Sequence, residues 1–113
     1  VESVLRVERL SLVSGSEPGK YRYRLLAAFQ PSKEQRAFRG RLQLMVHAVQ
    51  GGRDIVLPWP PAGREGEPEF ILEMQHFLRK EGSLHIPVGA RVKSIEARIL
   101  QGDTVKARKI VTY

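Results

Sequence analysis

Apolar and polar residues alternate with a period of two along most of this chain, the pattern of half-buried β-strands. The alternation is longest between Phe38 and Trp59. Phe38, Gly40, Leu42, Leu44, Val46 and Ala48 fall on one side of an extended chain, and Arg39, Arg41, Gln43, Met45 and His47 fall on the other. Gln50-Gly51-Gly52-Arg53 then offers a tight turn into Ile55-Val56-Leu57, and the run stops at Pro58, Pro60 and Pro61. Glycine reaches positive φ without a Cβ clash, so this stretch predicts a long β-hairpin closed by a primed turn.

Nearer the N-terminus, in residues 4–13, Leu5 and Val7 lie on one face and Leu10 and Leu12 on the opposite parity. A strand there needs a β-bulge near Glu8-Arg9, or must be two short strands. Ser14 to Gly19 is a loop by composition. Residues 20–30 alternate cleanly, with Tyr21, Tyr23, Leu25, Ala27 and Phe29 on one face and Arg22 and Arg24 at the exposed end of the other. Pro31 to Arg36 is a polar connection. Pro60 to Pro68 is the longest breaker-rich segment and reads as a mobile surface loop.

Residues 69–81 carry two patterns at once. As a helix, Phe70, Ile71, Met74, Phe77 and Leu78 form one stripe, with Pro68 at the start and Arg79, Lys80 and Gly82 at the end, which predicts a short helix at 69–80. As a strand, Phe70, Leu72 and Met74 alternate with Ile71, Glu73 and Gln75. The β context around the segment favours strand through about Gln75. Ser83 to Ile86 is a short extended piece. Residues 92–100 are a strand with Ile95, Ala97 and Ile99 inward, Gln101-Gly102-Asp103 is a second hairpin turn, and 104–113 is the last strand. About seven to eight strands at this spacing imply an all-β, antiparallel sandwich of immunoglobulin or fibronectin type.

The 113 residues suit a single domain with its own core, and the balance of 42% hydrophobic and 27% charged residues is that of an ordinary globular protein. Cysteine is absent, which removes disulfides, thiolate metal sites and a cysteine nucleophile. No apolar run approaches the length of about 18 residues needed for a membrane span. The chain opens Val-Glu-Ser without an initiator methionine, so a processed product or a piece of a longer protein is expected.

Catalytic and metal motifs are missing. His47, His76 and His85 are dispersed, without His-x-His or His-x-x-x-His spacing. The only aspartates, Asp54 and Asp103, sit beside hairpin turns, where a short side chain caps backbone donors. Glu65, Glu67 and Glu69 cluster in the long loop without a hard-cation pattern. The glycines precede no helix that would cradle phosphate. No enzymatic activity, metal or cofactor is expected. Pro58-Trp59-Pro60-Pro61 reads as a tryptophan covering one end of the core, in preference to a polyproline ligand.

Charge changes the picture. Lysine and arginine total 19 against 12 acidic residues, a formal +7, so anionic partners enter consideration. Arg22 and Arg24 occupy the outward register of one strand, and Arg39 and Arg41 that of the next. If those strands are sheet neighbours, the four guanidinium groups share one surface able to bind anions in paired fashion. Arg98, Lys106 and Arg108 add outward cations near the C-terminus. A solvated face interleaved with glutamates is the plainer reading of the same residues. Tyr21, Tyr23, Phe29 and Phe38 fall on the inward parity, against a nucleic-acid stacking platform.

Three stretches, YRYRLLAAFQPSKEQRAFRGRLQL, GGRDIVLPWP and EGSLHIPVGARVKSIEARIL, together resemble the C-terminal domain of an uncharacterised family of proteobacterial single-pass inner-membrane proteins. The resemblance implies a membrane helix and a coiled coil before the domain, oligomerisation through that coiled coil, a periplasmic location and a setting linked to bactofilin, a cytoskeletal polymer. It brings no catalytic residue. The expected function is a non-enzymatic binding or scaffolding domain of the cell envelope, recognising a protein or an anionic envelope component. The alternative is a nucleic-acid or anionic-lipid binder acting through a basic sheet face of Arg22, Arg24, Arg39 and Arg41.

Overall fold

The computed structural model describes residues 4–113. Eight strands follow one another as β1 (Val4–Ser14), β2 (Lys20–Gln30), β3 (Phe38–Gln50), β4 (Arg53–Trp59), β5 (Ile71–Met74), β6 (Phe77–His85), β7 (Arg91–Gln101) and β8 (Thr104–Thr112). They form two antiparallel sheets, one ordered β1-β2-β6 and the other β4-β3-β7-β8 with β5 also on β3. The fold is therefore the all-β sandwich expected from the alternation, with immunoglobulin-like crossing between sheets.

Parity decides which side chains meet between the sheets. Tyr23, Leu25, Ala27 and Phe29 of β2 face Leu42, Leu44 and Val46 of β3 and Ile95, Ala97 and Ile99 of β7 in one contiguous core. Phe29 and Phe38 join the two sheets, with ring centroids 5.8 Å apart. In β1 the register slips between Val7 and Arg9. This bulge is what returns Leu10 and Leu12 to the core after Val7. At the β3–β4 turn Gly51 and Gly52 have φ of 58° and 77°, the two successive positive values of a type I′ hairpin.

No helix forms at 69–80. A single 3-10 turn, Pro68–Phe70, leads directly into β5. Phe70, Leu72 and Met74 are buried while Glu73 and Gln75 are exposed, so the apolar residues reach the core at the period of a strand. Ladder bonds to β3 from Phe38↔Met74 to Arg41↔Ile71 satisfy the backbone that a helix would have satisfied internally. The Arg79, Lys80 and Gly82 that resembled a helix end instead lie within β6, which pairs with β2 from Phe77 to His85. The strand is longer than the short extended piece expected at 83–86.

The loop between β4 and β5 folds back on the core. Trp59 meets Phe70 edge-on at 6.2 Å, and the Arg64 guanidinium lies 5.7 Å from the Trp59 ring centre. Arg64 also donates two hydrogen bonds to the Glu67 carboxylate, at 2.7 and 2.9 Å. That pairing lowers the Glu67 pKa from the ordinary carboxylate value and raises that of Arg64. Trp59 packs against the core as a cap, as its position at a strand end suggested.

Candidate anion-binding face

The outer face of the β1-β2-β6 sheet is built by register. Leu26 lies at its centre, opposite Arg9 on one side and Arg79 on the other. The next row places Arg24 between Ser11 and Glu81, and the one beyond it places Arg22 between Val13 and Ser83. On the other side of Leu26, Ala28 sits between Arg6 and Phe77. Alternation turns all of these side chains away from the core, so five arginines from three strands share one surface.

Two of the five are already engaged. Arg24 Nε lies 2.8 Å from Glu81 Oε1, and Arg6 Nε lies 2.6 Å from Glu8 Oε1. Both pairs are exposed, and such pairs contribute little to stability. Among the described residues, Arg9, Arg22 and Arg79 have no carboxylate within ion-pair distance. Arg9, Arg24, Arg79, Lys80 and Glu81 surround an open groove of about 560 Å³ whose apolar floor includes Leu26. A second hollow of about 280 Å³ adjoins it, bounded by Arg6, Ala28, Pro31 and Phe77. Phe77 is 69% exposed, the large apolar side chain at that end.

The four arginines singled out by parity divide between the sheets. Arg22 and Arg24 belong to β2, whereas Arg39 and Arg41 belong to β3 in the opposite sheet, so the condition that the two strands be neighbours is not met. Outward residues of the two sheets point away from each other. Arg39 lies 3.6 Å from Glu73, and Arg41 lies 3.9 Å from Asp103. Arg98 and Arg108 converge, at 2.9 and 3.5 Å, on Glu96, the buried charged side chain among the described residues. On this sheet Arg39, Arg41, Lys93, Arg98 and Arg108 are thus each within ion-pair distance of a carboxylate.

Arg6, Arg9 and Arg79 are the members that sequence reasoning missed, and each had a signal. Arg6 lies between Leu5 and Val7, the pair that shares the inward face. The bulge expected near Glu8-Arg9 shifts the parity of the residues after it, and the structure sets Arg9 opposite Leu26. Arg79, Glu81 and Ser83 alternate outward once residues 77–85 are read as one strand.

Other chemistry does not assemble. His47 lies on β3, His76 in the β5–β6 connection and His85 at the end of β6. Among the described residues no three His, Cys, Asp or Glu side chains form a group that could hold a metal. Tyr23 Oη and Trp59 Nε1 are buried without a hydrogen-bond partner. Burial, reinforced by the charge of Glu69, pushes the Tyr23 pKa up to about 12, so the phenol stays protonated and unreactive at neutral pH.

The molecule is an immunoglobulin-like β-sandwich that presents an open, arginine-lined sheet face. Residues 1–97 match the model of a family of unknown function, DUF6776, and the chain belongs to that family. No curated protein and no solved structure matches the chain. Among the described residues no helix is long and apolar enough to cross a membrane.

Proposed function

We propose that the domain is a non-enzymatic binding or scaffolding module of the bacterial cell envelope, recognising a protein or an anionic envelope component through the outer face of β1-β2-β6. The observation that carries this reading is the row Arg9–Leu26–Arg79, with two guanidinium groups lacking carboxylate partners on either side of an apolar floor. In this reading a membrane helix and a coiled coil hold the domain in the periplasm, and a bactofilin-linked protein is one partner to test. The interleaving of Glu8 and Glu81 with the arginines supports a partner of mixed character over a uniform polyanion.

The test is binding of the chain to labelled polyglutamate, a single-stranded oligonucleotide and phosphatidylglycerol vesicles across a salt series. We expect at least one acidic probe to bind, with affinity that falls as salt rises. Replacing Arg9, Arg22, Arg24 and Arg79 together by alanine should abolish that binding, while the Arg39→Ala, Arg41→Ala pair should leave it within about twofold. Absence of binding at low salt, or binding indifferent to the four substitutions, overturns the proposal. Preference for the oligonucleotide or the vesicles would favour the nucleic-acid or lipid alternative.

A further inference from the structure

Resting on that reading, we infer that the partner is an acidic segment of a protein in which two carboxylates bracket an apolar side chain, seated across Arg9, Leu26 and Arg79. The register sets the spacing. Neighbouring strands lie about 4.8 Å apart, so the backbones of Arg9 and Arg79 stand about 10 Å apart across Leu26. A planar guanidinium presents parallel N–H donors that match the two oxygens of a carboxylate. The Arg24–Glu81 ion pair at 2.8 Å already sets a carboxylate against a guanidinium on this face.

Three features favour such a segment over other anions. The groove is open, and Leu25 and Leu26 give it an apolar part among the charged side chains, so it accepts a protruding hydrocarbon side chain, which a sugar-phosphate backbone lacks and a flat bilayer surface does not present. Glu81 lines the same groove. It occupies Arg24, which leaves Arg9 and Arg79 as separated cations, a spacing that suits a peptide whose acidic residues are parted by neutral ones better than the closely spaced charges of a nucleic acid. The apolar surface also continues past Ala28 to Phe77 and Pro31, extending the contact beyond the two charges.

A random peptide library displayed on phage, selected against the immobilised chain, tests the assignment. The expected winners carry acidic residues on both sides of an apolar residue. Synthetic copies should lose at least tenfold in affinity for the Arg9→Ala, Arg79→Ala variant, and similarly when their own apolar residue is replaced by serine. Leu26→Ser should relax the selection for the central apolar residue while keeping the acidic ones. Unchanged melting temperature qualifies each exposed-face variant for the comparison. Recovery of peptides without acidic residues, or no enrichment at all, overturns the inference. If an oligonucleotide or vesicles still bind through the four arginines in that case, the basic-face reading survives and only the peptide assignment falls. If those probes also fail, both fall.

Discussion

Gly82 of β6 stands opposite Tyr23 of β2, and a Cβ at position 82 would lie 2.5 Å from the Tyr23 hydroxyl and 2.6 Å from its ring. The glycine is a space requirement, since the fully buried tyrosine covers its Cα. Gly82→Ala is expected to destabilise the domain by about 1–3 kcal/mol through overpacking. Adding Tyr23→Phe should not restore stability, because ring carbons as well as the oxygen occupy the space. Thermal or urea unfolding of the single and double variants checks this, and a neutral Gly82→Ala would refute the packing.

The same tyrosine predicts an alkaline transition. Its pKa rises from the ordinary 10.0 to about 12 through burial and then the nearby charge of Glu69. The unfolded chain releases the proton earlier than the folded one, so the contribution is complete below about pH 10 and is lost as pH rises towards 12. Two pH units correspond to at most about 3 kcal/mol. Tyrosinate absorbance should show one late-ionising group coinciding with alkaline unfolding. Tyr23→Phe should remove that group and flatten stability between those pH values.

These two residues also mark what the sequence revealed and what it hid. Tyr23 announced its burial by alternation with Arg22 and Arg24, and the slip at Val7/Arg9 was legible because Leu5 and Leu10 differ in parity. Gly82 gave no such sign. Along β6 only Leu84 is buried among the described side chains, and exposed Phe77 stands where a core residue would normally be read. No apolar residues kept the strand period along 77–85, whereas Phe70, Ile71, Met74, Phe77 and Leu78 kept a helical one, so local pattern favoured a helix. The basic face was half legible for a related reason: parity says which way a side chain points, but not which strand lies alongside. Arg22 and Arg39 share a register sense and lie in different sheets, because the chain between β2 and β3 crosses the sandwich.

Where geometry is purely local, prediction was easier and tests can be sharper. Gly51 and Gly52 both have positive φ, and a Cβ at either would meet open space. Any cost of substitution there is therefore conformational. Gly52→Ala should destabilise by about 1–2 kcal/mol, whereas Gly51→Asn should cost less, since asparagine tolerates the left-handed region. Equal losses for the two variants in a denaturant titration would argue against a type I′ turn.

A last tie joins Tyr113, just after β8, to β1 and β7. Tyr113 Oη accepts a hydrogen bond from the Leu12 backbone N–H at 2.9 Å, and the Tyr113 N–H donates to the Lys93 carbonyl at 2.7 Å. A residue just beyond β8 thus bridges β7 in one sheet to β1 in the other, closing the side of the sandwich where those sheets have open edges. The family match ends at residue 97, short of this contact. Tyr113→Phe keeps the ring and removes the acceptor, leaving the Leu12 amide to find another partner. It should cost about 1 kcal/mol in unfolding free energy. Amide hydrogen exchange offers the sharper readout: Leu12 should lose protection in the variant while Leu25 in the centre of β2 keeps its own. Uniform loss at both would mean that the bond supports global stability alone, and no loss would mean that the β1 edge is held without it.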